Sequence, residues 1–207
     1  MGGRRVARAP RRARARGAGR LRAAGAAARQ TSTVAELVWR GVEVDGLERL
    51  SIDEGSVIRV QSVIDSARGR FSYEIVCDRD WTFRTLHLES AGDELAVDLE
   101  SDGHGVWTHN GLRRDDLTEC IDIDLSASPF TNSLPIRRLD LAIGDEADLI
   151  TAYIDVADLT VVPDPQRYTR LDEDLYLYES LDSEFSREIT VDFDGLVVEY
   201  PGFFERL

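Results

Sequence analysis

The sequence predicts an all-β domain, mainly antiparallel. Three observations carry that expectation. Short runs of period-two character recur from Val57 to Tyr200; clusters of Gly, Asp, Asn, Ser and Pro separate them; and no helical period is sustained before a short helical turn at the C-terminus.

Taken in order, strands are expected near residues 35–40, 57–64, 70–77, 82–88, 94–100, 105–108 and 119–125, then 136–143, 148–155, 158–162, 166–170, 174–179, 187–193 and 196–200. In Ile121-Asp122-Ile123-Asp124-Leu125 the apolar residues fall on one face and the carboxylates on the other, as in a sheet with one wet side. Leu175-Tyr176-Leu177-Tyr178 is apolar on both faces. Such a strand lies between two layers or contributes to a concave surface. A faint repeat relates Phe71–Ile75 to Thr151–Asp155, and Leu95–Asp98 to Ile189–Asp192, and predicts two similar β-meanders related by a pseudo-dyad.

Charge divides the 207 residues unevenly. Residues 1–33 hold ten arginines and no acid, while residues 34–207 hold the other 15 arginines against all 39 acidic residues. The arginine- and alanine-rich tail cannot bury enough surface to offset the entropy of ordering it. It is expected to be either a disordered arm or an over-extended gene start, since Val34 is where a GTG start codon read internally would give valine. Residues 34–207 suit a single domain. The chain has no lysine, and an acid excess balanced only by arginine predicts a cytoplasmic protein of a salt-loving cell, where ions screen like-charge repulsion. The tail lacks the apolar stretch of a secretion signal, and no run of 18 apolar residues predicts a membrane span. Clustered arginines could neutralise phosphates, but nucleic acid is not the expected partner.

Catalytic signatures are missing. His87, His104 and His109 lack metal-ligand spacing, Gly103-His104-Gly105 is no phosphate cradle, and Cys77 and Cys120 sit in apolar strand patterns as small core residues. No metal, cofactor or catalytic residue is assigned. Large aromatic and guanidinium groups in polar settings stand out instead: Trp39-Arg40, Trp81 with Arg84, Phe130 with Asn132, Arg137-Arg138, and Gln166-Arg167-Tyr168. Planar guanidinium donors and aromatic faces are the groups a binder of sugars or acyl chains uses. Taken singly, each arginine could equally pair with an acid and each tryptophan fill the core.

These same residues resemble the glycolipid-binding family of bacteria and archaea, formerly a domain of unknown function. The resemblance rests on Trp39-Arg-Gly41, Asp78-Arg-Asp-Trp-Thr-Phe-Arg84, Cys120-Ile-Asp-Ile-Asp-Leu-Ser126, Pro129-Phe-Thr-Asn-Ser-Leu-Pro-Ile-Arg-Arg-Leu139, Gln166-Arg-Tyr-Thr169 and Gly195-Leu-Val-Val-Glu-Tyr-Pro-Gly-Phe-Phe204, and spans Trp39 to Phe204. It implies a large curled antiparallel sheet forming a half-barrel, similar to bacterial lipoprotein carriers, whose concave apolar face takes an acyl chain. The lysine-free acidic composition leads to the expectation of a haloarchaeal-type member. An amphiphile is then the expected partner, with Arg84, Asn132, Arg137 and Gln166 meeting its head and Trp39, Trp81, Phe130, Arg167 and Tyr168 completing the site. Two other readings stay open: a hydrolase or isomerase using Asp122 or Asp124 with Arg137, and an interaction domain without a small ligand.

Overall fold

The computed structural model describes residues 33–92 and 96–207. The tail expected over residues 1–33 lies outside these, apart from Thr33. Two antiparallel meanders make the sheet. The first runs β1 (Thr33–Gly41), β2 (Gly46–Glu54), β3 (Ile58–Ser66), β4 (Gly69–Cys77), β5 (Phe83–Ser90), β6 (Ala96–Ser101), β7 (Trp107–His109) and β8 (Leu112–Arg113). A 3-10 turn at Asp115–Leu117 leads to β9 (Asp122–Leu125) and the helix α1 (Phe130–Leu139). The second meander runs β10 (Glu146–Asp155), β11 (Thr160–Arg170), β12 (Leu175–Ser180), β13 (Ser186–Val191), β14 (Val197–Tyr200) and β15 (Phe204–Arg206).

Among the described residues all fifteen strands form one sheet in the order β8-β7-β6-β5-β4-β3-β2-β1-β15-β14-β13-β12-β11-β10-β9. It is curled and unclosed. Its two meanders meet where β1 pairs with β15, Trp39 opposite Arg206. Side chains bridge the far ends: Arg114 Nη2 donates to the Val161 carbonyl at 2.7 Å, and the Trp107 indole donates to Cys120 O at 3.1 Å.

Strict alternation fixes the inward face. In β4, Phe71, Tyr73, Ile75 and Cys77 are buried while Ser72, Glu74 and Val76 are half-buried on the other side. Residues 160–170, expected as two short strands, form the one strand β11 although it contains Pro163 and Pro165. The Pro165 carbonyl accepts from Leu181 N on the side away from β10, so both proline nitrogens face where the β10 ladder needs no donor. At the β1–β2 turn a Cβ on Gly41 would stand 2.1 Å from the Val44 carbonyl, which leaves glycine the fitting residue.

The largest correction concerns residues 130–143. The strand expected at 136–143 is replaced by α1, which ends at Leu139, and the expected C-terminal helical turn is a non-helical turn at 201–203 followed by β15. Thr131, Asn132, Ser133 and Pro135 are poor helix formers, so propensity alone reads this stretch as loop. Burial overrides propensity, because every residue from Phe130 to Ile136 is buried. The helix links β9 to β10, the parallel pair of the sheet, and packs against the sheet's buried, inner face. Its hydroxyls serve the strands: Leu125 N donates to Thr131 Oγ1 at 3.1 Å and Val197 N to Ser133 Oγ at 3.2 Å. Phe130 and Leu134 join the larger core with Trp39, Phe83 and Trp107, while Ile136 packs in a second core with Tyr168, Tyr176 and Tyr178.

Arg138 pins α1 to β9. Its Nη2 donates to the Asp122 carboxylate at 2.7 Å and its Nε spans both oxygens at 3.1 and 3.2 Å, and Asp122 is fully buried. Burial holds the Asp122 carboxyl above its usual range despite this partner. Arg138→Ala should therefore cost about 3 to 5 kcal/mol in denaturant unfolding, since it leaves a buried carboxylate unpaired. The double variant Asp122→Leu with Arg138→Met should lose much less.

Candidate ligand-binding site

Between α1 and the second meander the concave side retains a cavity of about 360 Å³. Its polar wall is Asp124 from β9, Asn132 from α1, Asp164 from β11 and Asp182 after β12. Its aromatic wall is Tyr153, Tyr178, Tyr200, Phe185, Phe203 and Phe204. The rings brace one another edge-on, with Tyr178 centred 5.9 Å from Phe185 and 6.4 Å from Tyr200. Alternation in β12 aims Tyr178 inward, and the turn at 201–203 brings Phe203 back over Tyr200, 5.1 Å between centroids.

Hydrogen bonds fix the polar wall. Gln166 Nε2 donates to Asp124 at 2.8 Å and to Asp164 at 2.7 Å, Thr131 Oγ1 donates to Asp124, and the Tyr168 hydroxyl donates to Asn132 Oδ1 at 2.9 Å. Burial, reinforced by the nearby Asp164 charge, pushes the Asp124 carboxyl up to about 6. Asp164 is raised by burial and by Asp182.

A narrower slot of about 70 Å³ lies alongside, its apolar wall made by Trp39, Val44, Leu47, Ile64 and Val156, with Glu43, Glu48, Ser66 and Arg68 also lining it. Ser126, Phe203 and Phe204 border both spaces. Glu48 lines the slot and is buried there, forming no ion pair among the described residues. Hydroxyls of Tyr73 at 2.6 Å, Ser62 at 2.7 Å and Ser128 at 2.9 Å donate to it. Ser128 Oγ also accepts from Phe130 N at 3.2 Å, which ties Glu48 to the start of α1.

The residues expected from sequence to act together are split among several places. Asn132 lines the cavity, Gln166 and Tyr168 hold its wall from behind, and Trp39 walls the slot with its indole donating to Val197 O at 2.9 Å. Phe130 is core. Trp81 lies in a separate recess, strained at φ 67° and covered by the Arg137 guanidinium 3.9 Å above its ring. Arg137 also reaches Glu54 at 3.3 Å. Among the described residues it pairs with neither Asp122 nor Asp124, the acids expected beside it. Arg84 is paired with Asp78, and Arg167 with Asp148, both outside the cavity. Glu48, Asp164, Asp182 and the tyrosine wall were not anticipated. The readable signal for the wall was the strand with two apolar faces, which carries Tyr178.

A family model described as "Putative glycolipid-binding" matches residues 36–206. The chain belongs to this glycolipid-binding family. It is also similar to a solved structure, the crystal structure of a DUF1089 family protein from Pseudomonas aeruginosa, with 34% identity over 91% of this chain and 100% of that one and a TM-score of 0.64. No curated protein matches it. Among the described residues of this family member no helix is long and apolar enough to cross a membrane.

Burial pushes the Glu48 carboxyl up to about 7, against the lowering effect of its three hydroxyl donors. A folded-state value above the unfolded one means that the folded protein holds the proton more tightly. This stabilisation is complete below the ordinary value of 4.5 and is lost as pH rises towards 7, a change of about 3 kcal/mol. Glu48→Gln should remove that part of the slope, making the variant relatively more stable at pH 8 than at pH 4.5 in paired denaturant titrations.

Proposed function

We propose that the protein binds a glycolipid by its sugar head, which enters the cavity between Asp124 and Tyr178, while the first methylenes of the acyl chain enter the slot beside Trp39. The observation that carries this reading is the pairing of two unlike spaces across one shared wall, Ser126, Phe203 and Phe204. The larger space, about 360 Å³, falls in the range of roughly 300–1,000 Å³ typical of small-molecule sites. Its carboxylate and amide oxygens accept from sugar hydroxyls, and its tyrosine rings offer faces to the ring C–H groups. The slot, at about 70 Å³, takes one end of a chain only. Because α1 occupies the concave side beyond it, the remainder of the chain leaves past Phe204 to solvent. The family match supports the same ligand class.

Orientation comes from the polar wall and most of the affinity from buried apolar area, at roughly 25 cal/mol per Å². Native mass spectrometry of the purified chain, with extraction and analysis of any bound lipid, tests this directly. A co-purified species that loses hexose units on fragmentation is expected. Tyr178→Ala should weaken rebinding of that species about tenfold, the loss of one stacking face and its buried area. Arg84→Ala and Arg167→Ala should leave it unchanged. A protein that carries no amphiphile and takes up none from glycolipid micelles would overturn the reading.

A further inference from the structure

We propose that the recess holding Trp81 and Arg137 is a second binding site, for a small soluble molecule with one negative charge on a carboxylate or a phosphodiester. The recess encloses about 260 Å³ and shares no lining residue with the cavity beside Tyr178. Its floor is made by Trp81, Ile136, Arg137 and Gly195, and the exposed Phe193 stands at its rim. The volume lies just under the range of roughly 300–1,000 Å³ usual for drug-sized ligands, so the molecule is a small one. This site is independent of the glycolipid reading.

Two kinds of donor on this floor are unused. Trp81 is 6% exposed, yet among the described residues its indole N–H makes no hydrogen bond, whereas those of Trp39 and Trp107 donate to Val197 O and Cys120 O. Arg137 is half-buried and likewise makes no hydrogen bond among the described residues. Its guanidinium is held by the Trp81 ring, 3.9 Å from the centroid, and by one ion pair, Nη2 to Glu54 Oε1 at 3.3 Å. Glu54 engages one of the three guanidinium nitrogens and does not line the recess. Sheltered polar groups are normally paired, so neighbouring N–H groups left over on a recess floor favour an acceptor. Both groups donate only, and the planar guanidinium fork matches the oxygens of a carboxylate or phosphate.

The backbone around the pair is shaped to hold it. Trp81 sits at φ 67°, where a bulky side chain is disfavoured, and its backbone N–H closes a turn onto Asp78 O at 3.0 Å. Gly195 turns at φ 74°, and a Cβ there would stand 3.1 Å from Arg137 Cγ, so glycine makes room for the arginine stem. Arg170 adds a second positive charge to the wall, while three of its donors hold the carbonyls of Asp172, Leu141 and Glu173. Acids at the rim set the charge limit. Asp140, Glu173 and Asp194 are exposed, and Asp192 pairs with Arg206 at 2.6 Å while accepting from the backbone N–H groups of Asp194 and Leu196. Exposed carboxylates are screened by water and salt and repel a single charge weakly. They oppose a dianion or an anionic membrane surface more strongly, which selects a soluble monoanion. The exposed ring of Phe193 offers the organic part of such a molecule an apolar face.

Heteronuclear NMR of the full chain, following the Trp81 indole N–H with calorimetry in parallel, tests the site; loss of the signal in Trp81→Phe assigns it. The probes are benzoate, dimethyl phosphate, neutral benzamide, sulfate, and phosphatidylglycerol vesicles. Benzoate and dimethyl phosphate should each shift the indole signal to saturation. Benzoate should bind about tenfold more tightly than benzamide, the margin of a charge-assisted over a neutral hydrogen bond. Arg137→Gln should remove that margin. Asp194→Asn, at an exposed turn position, should tighten benzoate about twofold, a change that would be absent if Arg137 served only to cover Trp81. Benzamide binding as tightly as benzoate, a margin that survives Arg137→Gln, or an indole signal that neither monoanion moves overturns the site. Sulfate or the vesicles binding more tightly than benzoate overturns the assignment to a soluble monoanion. Arg137→Gln should leave rebinding of the co-purified lipid unchanged, so that failure of either site is read apart from the other.

Discussion

An open sheet with one apolar face is stable only if something lies against that face, and here the covering is α1. Everything else on the concave side follows from fitting a helix there. A strand backbone that turns towards the helix must find acceptors, and Thr131 and Ser133 provide them for Leu125 and Val197. The helix must also be held in azimuth, which the Arg138–Asp122 pair does at one end and the Ser128–Glu48 contact at the other. Residues that weaken an isolated helix are in this setting the ones that fasten it.

The buried carboxylates differ in how they are satisfied. Asp122 is neutralised by a permanent partner and belongs to the frame. Glu48 is satisfied by hydroxyls between β2 and the helix entrance, and burial raises it to about 7, so that it is about half protonated at neutral pH. Asp124 and Asp164 are held in position by Gln166, and among the described residues no arginine lines their cavity. Burial raises all four, but it is a settled feature in the first two and an open one in the last pair.

The strands of the first meander were legible wherever period two was unbroken, as in Ile58–Ile64 and Phe71–Cys77. β2 was missed because Glu48 occupies an inward position ahead of Leu50 and Ile52, so the register looks interrupted at the point where a hydrogen-bonded acid replaces an apolar residue. α1 was missed because its stability comes from tertiary burial. The family motifs led to genuine structural positions, but motif residues serve the frame as often as the site. Arg137 stacks on Trp81 and Arg138 pairs with Asp122, whereas the cavity's Tyr178, Asp164 and Asp182 lie outside every quoted motif. Which side chains converge across α1 and six strands depends on sheet curvature, which no local pattern encodes.

The seam between β1 and β15 bears on biogenesis. The first meander is made of neighbour-to-neighbour hairpins and can assemble as it leaves the ribosome. β1, however, waits for a partner that is synthesised some 160 residues later, and until then it offers bare amide and carbonyl groups to any other chain. Completion of the curl is therefore a late event in the life of each molecule, and nascent chains crowded on one messenger are exposed to strand exchange along that seam for most of their synthesis.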